Sequence, residues 1–156
     1  MAKTQSYAFG PGEGRPIDLG VGFAVTVLAD ERRTGGVVSV LETVEPPAFG
    51  PPMHVHHDCA EAFYVLEGEY HMYLEEDEIA CPAGSFIFIP QGARHGFRTG
   101  DVPSRKLNFY FPASMIGYFD DLAVALQRDE VNEDELTEIA STHAMEIVGP
   151  PSDSYV

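Results

Sequence analysis

Short runs of β-branched and aromatic residues follow one another from Gly20 to Phe111. Gly, Pro or acidic turns interrupt these runs every eight to twelve or so positions, a rhythm typical of an antiparallel sandwich or barrel. Eight strands are predicted, a number that suits a jelly roll. They are Val21–Leu28, Gly36–Val44, His54–His56, Ala62–Leu66, Tyr70–Leu74, Phe86–Ile89, His95–Arg98 and Lys106–Phe111.

One of these predicted strands is apolar on both faces. Phe86–Ile89 reads Phe-Ile-Phe-Ile, so the side chains that face the barrel interior and those that face away are equally apolar. Such a run is expected where a second sheet or a partner subunit covers the outer face. We therefore predict that this strand is central in its sheet.

The pattern changes from strand to helix beyond Pro112. Apolar residues then recur at helical spacing, and Ser114 is the predicted N-cap. The apolar positions of this first helix are Met115, Phe119, Leu122 and Leu126. A second helix is predicted to begin at Asn132, because Glu135 three residues later gives a capping-box-like start. One face of the second helix comprises Leu136, Ile139, Ala140 and His143.

The barrel and the helices are predicted to form one domain over residues 1–156. The sequence has no internal repeat, and no linker is long enough to divide it. We expect a barrel core at about residues 20–111 and a helical tail at about 112–148, with both helices packed on the outside of the barrel. The ordered pattern ends at Gly149-Pro150-Pro151.

The charge balance excludes polyanionic partners. The chain has 25 Asp and Glu residues against 9 Lys and Arg, which gives a formal net charge of −16. Such a chain is repelled by nucleic acid and by the anionic cytoplasmic membrane surface. We therefore expect neither nucleic acid nor a membrane as a partner.

The N-terminus and the cysteines indicate a reducing compartment. Residues 1–7 lack the apolar segment of a secretory signal. Cys59 and Cys81 have neither the C-x-x-C spacing nor the density of a disulfide scaffold. No apolar run approaches the roughly 18 residues of a membrane-spanning helix. We expect a cytoplasmic protein with two free thiols.

Four residues have the chemistry of a transition-metal site. Residues two apart on a strand point to the same face, so His54 and His56 can direct both imidazoles to one point in the barrel. Glu61 lies five residues beyond His56, far enough for the chain to turn back, and His95 lies on a later predicted strand. Three imidazoles and a carboxylate suit one divalent ion of Fe, Mn, Ni, Co, Cu or Zn rather than Ca or Mg. Six-coordination would leave two positions open for water, substrate or O₂.

Glu61 has a second predicted role as the catalytic base that accepts a proton from the substrate. An apolar barrel mouth around the metal would suit a flat organic substrate. Its predicted lining is Phe63, Val65 and Phe97 with either Phe109 or Tyr110. His57 is expected on the opposite strand face as a rim residue, and Cys59 is expected to be an ordinary loop cysteine.

The spacing of these residues resembles the two motifs of the cupin family. The first motif is matched by His54-Val55-His56, four residues, Glu61, six residues and Gly68. The second is matched by Gly84, five residues, Pro90, one residue, Gly92, two residues and His95. Fifteen residues lie between the motifs, as in microbial single-domain cupins. Two positions depart from the pattern: Ala48 stands near the place of a usual glycine, and Thr99 stands where an Asn is common.

This resemblance covers roughly residues 36–111 and implies an all-β fold, a double-stranded β-helix or jelly-roll barrel, to which the two short C-terminal helices are added. It also implies that His54, His56, Glu61 and His95 are the metal ligands. A homodimer is expected too, because cupin barrels commonly pair and an open jelly roll has sheet edges to protect.

Longer stretches resemble bacterial single-domain cupins related to quercetin 2,3-dioxygenase. They are Pro51–His57, Glu61–Glu69 and Met145–Pro151. This narrower resemblance implies a metal-dependent dioxygenase that uses O₂ on a small enolic, phenolic or flavonol-like substrate. Two alternatives stay open: a metal-dependent isomerase, lyase or cyclase, and a non-catalytic binder of a metal or a small metabolite.

Overall fold

Side chains alternate between buried and partly exposed positions along β-strands such as Ser39–Glu45 and Ser104–Phe111, and two antiparallel sheets enclose one interior. The computed structural model describes residues 3–20, 22–128 and 130–150. Its elements are β1 (Arg15–Asp18), β2 (Ala24–Ala29), α1 (Glu31–Thr34), β3 (Ser39–Glu45), β4 (Met53–His56), β5 (Ala60–Glu67), β6 (Glu69–Leu74), β7 (Asp77–Pro82), β8 (Phe86–Ile89), β9 (His95–Thr99), β10 (Ser104–Phe111), α2 (Ile116–Leu126), α3 (Glu133–Thr142) and β11 (Met145–Gly149).

The strands form a six-stranded sheet in the order β1-β2-β3-β10-β5-β8 and a five-stranded sheet in the order β11-β4-β9-β6-β7. Strands that are distant in sequence are therefore neighbours, as in a jelly roll. The predicted all-β jelly-roll fold with short C-terminal helices is confirmed. None of the helices in the described ranges has the length and hydropathy of a transmembrane segment.

Three strands were not predicted. β7 follows the acidic turn after β6 and is mostly exposed at a sheet edge, so its sequence is too polar to suggest a strand. β1 extends the six-stranded sheet by pairing with β2. β11 returns from the helices and pairs with β4, where Met145 lies opposite His56 and Ile147 opposite His54. The C-terminal tail is therefore a helical excursion that rejoins the barrel.

The prediction that Phe86–Ile89 is a central strand is wrong. β8 is the edge of the six-stranded sheet and pairs only with β5 among the described strands. Ile87 and Ile89 are buried, whereas Phe86 and Phe88 are 65% and 56% exposed on the outer face. An apolar run on both faces predicts two covered faces, but the described residues cover only one of them.

The two helices begin by different means. Ser114 is not the N-cap of α2: that position belongs to Met115, which has a φ of +72° and makes no capping bond through its side chain. The Ser114 N–H donates instead to Ser39 Oγ, 3.0 Å away, because the chain leaving β10 is tied back to β3. The predicted start of α3 is confirmed, since Asn132 Oδ1 accepts from the Glu135 N–H at 2.9 Å.

The sequence predicts that the two C-terminal helices pack on the outside of the barrel. In the structure they cover part of the barrel interior instead. Apolar side chains of both helices form part of the wall of an internal cavity. The residues of α2 and its start that line this cavity are Met115, Tyr118, Phe119 and Leu122, and α3 adds Leu136.

Ala48 and Thr99, the two positions that depart from the cupin motifs, both take part in hydrogen bonds between the loop before β4 and the end of β9. Ala48 has a φ of +55°, the left-handed region that favours glycine. Its N–H donates to the Gly100 carbonyl at 2.9 Å. The Thr99 hydroxyl donates to the Pro46 carbonyl at 2.6 Å and accepts from the Phe49 N–H at 2.8 Å. Thr99 thus holds the loop that precedes β4.

Two motif glycines allow a matched test of this fold. Gly68 and Gly84 both have positive φ, but a Cβ at Gly68 would lie 2.9 Å from Ser104 Cα, whereas nothing lies within 4 Å of a Cβ at Gly84. We expect Gly84→Ala to lower the free energy of unfolding by about 1–2 kcal/mol through backbone strain alone. Gly68→Ala should lose a further 1–3 kcal/mol or so through overlap with Ser104. Urea unfolding measures both, and equal losses would contradict the described turn.

Candidate metal centre

Three strands bring the four candidate ligands, His54, His56, Glu61 and His95, to one point. β4 supplies two histidines on one face, Glu61 lies near the start of β5, and His95 begins β9 directly opposite His54. All four are buried, and one donor atom from each lies within 4.8 Å of all the others. Metal–donor distances of about 2.0–2.2 Å mean that one ion could contact all four side chains once the most widely spaced donor atoms moved closer together.

Backbone carbonyls set the tautomers of two of the histidines. His54 Nδ1 lies 2.8 Å from the Pro52 carbonyl, and His95 Nδ1 lies 2.9 Å from the Ala93 carbonyl. A carbonyl only accepts, so each Nδ1 carries a proton that it donates. The lone pair of each neutral ring is then on Nε2, the atom that faces the centre. Metal-binding histidines are typically oriented in this way.

His56 supplies the observation that tests the fit of a metal. Both of its ring nitrogens are buried and lack a hydrogen-bond partner among the described residues. Nε2 lies 3.1 Å from Glu61 Oε2, but without hydrogen-bond geometry. A buried polar atom left unpaired costs about 1–3 kcal/mol. An ion at this point would give Nε2 the partner that it lacks, so the residues fit a metal.

The electrostatics keep the donor set ready for a cation. Burial raises the pKa of Glu61, but the imidazoles of His56 and His95 outweigh burial and hold the pKa well below its usual range. Burial, together with His95 and His56, lowers the pKa of His54 to about 3. Glu61 is therefore a carboxylate and His54 a neutral ring at neutral pH, which are the forms that bind metals.

His95 is the ligand that protons contest. Its Nε2 lies 2.8 Å from Glu61 Oε2. Burial lowers the pKa of His95, but the hydrogen bond and charge of Glu61 raise it by more, so the net shift is upward. A bound ion would have to displace the proton that His95 Nε2 shares with Glu61, as metal ions generally displace protons from their ligands.

An internal cavity of about 280 Å³ reaches the centre and exposes His54, His56 and Glu61 to its interior. Most of its wall is apolar or aromatic, with helix residues at one end and Phe63, Phe97 and Tyr110 on the strands. Burial and the charge of Glu61 raise the pKa of Tyr110 well above 10, so its hydroxyl stays protonated. The arrangement can hold a small flat molecule against the candidate ligands.

Three of the predicted pocket residues line this cavity: Phe63, Phe97 and Tyr110. Val65 does not, although it shares a strand face with Phe63; it is fully buried in the hydrophobic core cluster that also includes Phe63 and Phe97. Phe109 does not either, because successive side chains of β10 point to opposite faces and Tyr110 takes the inward one.

Sequence reasoning missed a group of polar residues in the same cavity, here called the polar wall: Thr43, Glu45, Lys106 and Asn108. They occupy alternate, inward-facing positions of the paired strands β3 and β10. The sequence signal was available in the alternation of β10, whose apolar residues point outward. Those outward residues are Leu107, Phe109 and Phe111.

His57 and Cys59 lie outside the cavity lining. His57 is exposed on the face opposite His56, and its Nε2 lies 2.7 Å from Glu146 Oε2 on β11. Cys59 is buried, and burial together with the nearby charge of Asp58 raises the pKa of its thiol to about 12. Cys59 is therefore a protonated thiol at neutral pH.

Comparison with known proteins identifies the fold. Residues 40–110 match the sequence model of the family described as "Cupin domain". The chain superposes on an RmlC-like cupin from Shewanella frigidimarina NCIMB 400 with a TM-score of 0.60 and 21% identity, covering 71% of this chain and 96% of the other. Over residues 40–110 the chain is therefore similar to cupin domains in both sequence and fold. KdgF from Halomonas sp. shares this fold, with a TM-score of 0.62, 17% identity, and coverage of 69% of this chain and 94% of the other.

One curated relative of this chain is quercetin 2,3-dioxygenase from Bacillus subtilis (strain 168), which is 28% identical over 103 residues. That alignment covers 66% of this chain and 30% of the relative. An uncharacterized protein from Aquifex aeolicus (strain VF5) is 35% identical over 63 residues, 40% of this chain and 50% of the relative. The chain thus spans half or less of the length of these two relatives.

Metal titration tests the centre directly. We expect chelator-treated protein to bind one Zn²⁺ or Co²⁺ per chain in calorimetry and to melt at a higher temperature when loaded. His56→Ala should weaken binding on the order of a hundredfold or more, because it removes a donor that has no other partner. The matched control is His57→Ala, which removes an adjacent imidazole on the opposite face. Equal affinity in wild type and His56→Ala would contradict the site.

Proposed function

We propose that this cupin is a metal-dependent dioxygenase that acts on a small enolic or phenolic substrate, with flavonols as the largest candidates. The observation that carries the proposal is the apolar cavity of about 280 Å³ into which His54, His56 and Glu61 project. The partial likeness to a quercetin 2,3-dioxygenase supports the same reaction class. The cavity lies just below the roughly 300–1,000 Å³ of ligand pockets, which favours substrates of one or two rings and leaves the three-ring flavonols at the upper limit of size.

In this proposal, His54, His56, Glu61 and His95 hold one divalent ion of Fe, Mn, Ni, Co, Cu or Zn. The ion would supply a Lewis acid for the substrate oxygen and, where it is redox-active, a route for electrons to O₂. The chain itself fixes the ligand rings through the carbonyls of Pro52 and Ala93.

Glu61 is proposed to accept the proton of the substrate hydroxyl. The cavity has one other carboxylate among the described lining residues, that of Glu45. Its two oxygens accept from Lys106 Nζ at 2.6 Å and from the Tyr70 hydroxyl at 2.5 Å. Both oxygens of Glu45 are thus taken by the chain's own donors, whereas the contacts of Glu61 with His56 and His95 are made through Oε2 at the candidate metal centre. We therefore assign the proton transfer to Glu61.

The aromatic side chains of the cavity are proposed to exclude water from the substrate. Phe63 and Phe97 meet edge to face with ring centroids 6.1 Å apart, and residues of α2 cover the cavity. A substrate anion held there would be desolvated and oriented between rings, which strengthens its interactions with charged groups. The homodimer and the cytoplasmic location stay predictions.

Oxygen uptake tests the proposal. Metal-loaded protein is assayed in an oxygen electrode with flavonols, catechols and β-diketones. We expect consumption of O₂ in proportion to substrate for at least one class. Glu61→Gln, compared at matched metal content, should lower the rate by about 10²–10⁴-fold because it removes the proton acceptor. His57→Ala is the control and should retain the wild-type rate.

Two results would contradict the dioxygenase. The first is an intact metal site with no oxygen consumed for any class of substrate. The second is substrate turnover that continues unchanged under nitrogen, which would favour an isomerase, lyase or cyclase instead.

A further inference from the structure

We infer that the polar wall (Thr43, Glu45, Lys106 and Asn108) is a second recognition point in the cavity, which binds an uncharged hydroxyl or carbonyl at the far end of the substrate. The inference rests on the proposed function for the near end, where the enol or phenol meets Glu61. It adds a substrate class: a flat molecule with polar oxygen at both ends.

Strand register places the polar wall away from the candidate ligands. On β10, Tyr110 lies opposite Glu61, Asn108 opposite Phe63 and Lys106 opposite Val65. At about 3.3 Å per residue, Asn108 is roughly 7 Å and Lys106 roughly 13 Å along the strand from the level of Glu61. A molecule of one or two rings spans the distance from Glu61 to the nearer part of this wall.

The polar wall is a continuous hydrogen-bonded group. Lys106 Nζ donates to Glu45 Oε1 at 2.6 Å and to Thr43 Oγ1 at 2.9 Å. Asn108 Nδ2 donates to the same Thr43 oxygen at 3.0 Å. The Tyr70 hydroxyl holds the other oxygen of Glu45 from outside the cavity lining, at 2.5 Å.

The buried ion pair is costly even though three aromatic rings surround its cation. Lys106 Nζ lies 4.8 Å from the ring centroid of Phe63, 5.1 Å from that of Tyr70 and 4.5 Å from that of Phe97, contacts that offset part of the cost. Lys106 is 2% exposed and Glu45 is 1% exposed. Removing two charges from water costs several kcal/mol per ion, and an apolar pair of similar volume is often equally or more stabilising. The pair faces a cavity large enough for a ligand, whereas the apolar side chains of β10 face outward. Charged side chains at buried, inward-facing strand positions depart from the usual apolar pattern, and such departures are expected where residues serve function.

The charges of the polar wall select neutral groups. The Lys106 ammonium and the Glu45 carboxylate cancel each other, so the wall carries no net charge. A carboxylate or phosphate on the ligand would compete with Glu45 for Lys106 and leave one buried anion unpaired, which is strongly unfavourable. A hydroxyl or carbonyl can join the existing hydrogen bonds without displacing either charge.

Paired ligands test the inference by calorimetry under nitrogen, with Zn²⁺-loaded protein so that binding is measured without oxidation. The pair is 1-phenylbutane-1,3-dione and its 4-hydroxyphenyl analogue, which differ only in the distal hydroxyl. We expect the hydroxylated compound to bind about three- to tenfold more tightly, the worth of one hydrogen bond. The 4-carboxyphenyl analogue should bind more weakly than the unsubstituted compound.

Two variants assign this preference to the polar wall. Asn108→Leu keeps the ion pair, and the double variant Glu45→Leu/Lys106→Met removes both charges together. Each should bring the affinity ratio of the two diketones close to one. The control is Gly84→Ala, which is expected to destabilise the fold through its positive φ but does not line the cavity. It should lower the melting temperature while the preference remains.

The outcomes separate this inference from the proposed function. Equal binding of the two diketones, no binding of the hydroxylated one, or a preference that persists in both variants would overturn the role of the polar wall. Variants that melt earlier with an unchanged preference would make the wall purely structural. A retained preference together with no oxygen uptake by the redox-active metal form would overturn the dioxygenase and leave the polar wall standing.

Discussion

The burial of one carboxylate among three imidazoles is the interaction on which the rest of this structure depends. Glu61 is almost fully buried, and the imidazole rings of His56 and His95 are the groups that lower its pKa against this burial. An isolated buried carboxylate would be far too costly. β4, β5 and β9 must therefore meet at one end of the barrel, and His56 still lacks a hydrogen-bond partner among the described residues. A single cation would both compensate the buried charge of Glu61 and give His56 Nε2 a partner.

The strands near this centre could be predicted because their signals are local. Side chains two apart on a strand share a face, which is enough to bring His54 and His56 together. Glu61 and His95 followed from motif spacing, and the structure places all four side chains within one small volume. The start of α3 was equally local, since Asn132 caps it through a hydrogen bond three residues ahead.

The features that escaped prediction are set by tertiary context. Phe86 and Phe88 look like core residues, yet β8 is an edge strand and their outer face is exposed. In β10 the apolar side chains face outward, whereas Lys106 and Asn108 face inward, toward a cavity whose wall includes residues of α2 and α3. The sequence pattern of a single strand carries no information about which face a remote helix will cover. The same holds for β11, which is short and gains its place only by pairing with β4.

Anomalous diffraction from crystals of the Zn²⁺-loaded protein tests the central claim most directly. The account predicts one strong peak in the barrel, about 2.0–2.2 Å from a ring nitrogen of His54, His56 and His95 and from a carboxylate oxygen of Glu61. A peak held by surface carboxylates or by the cysteines, with none between these four side chains, would contradict it.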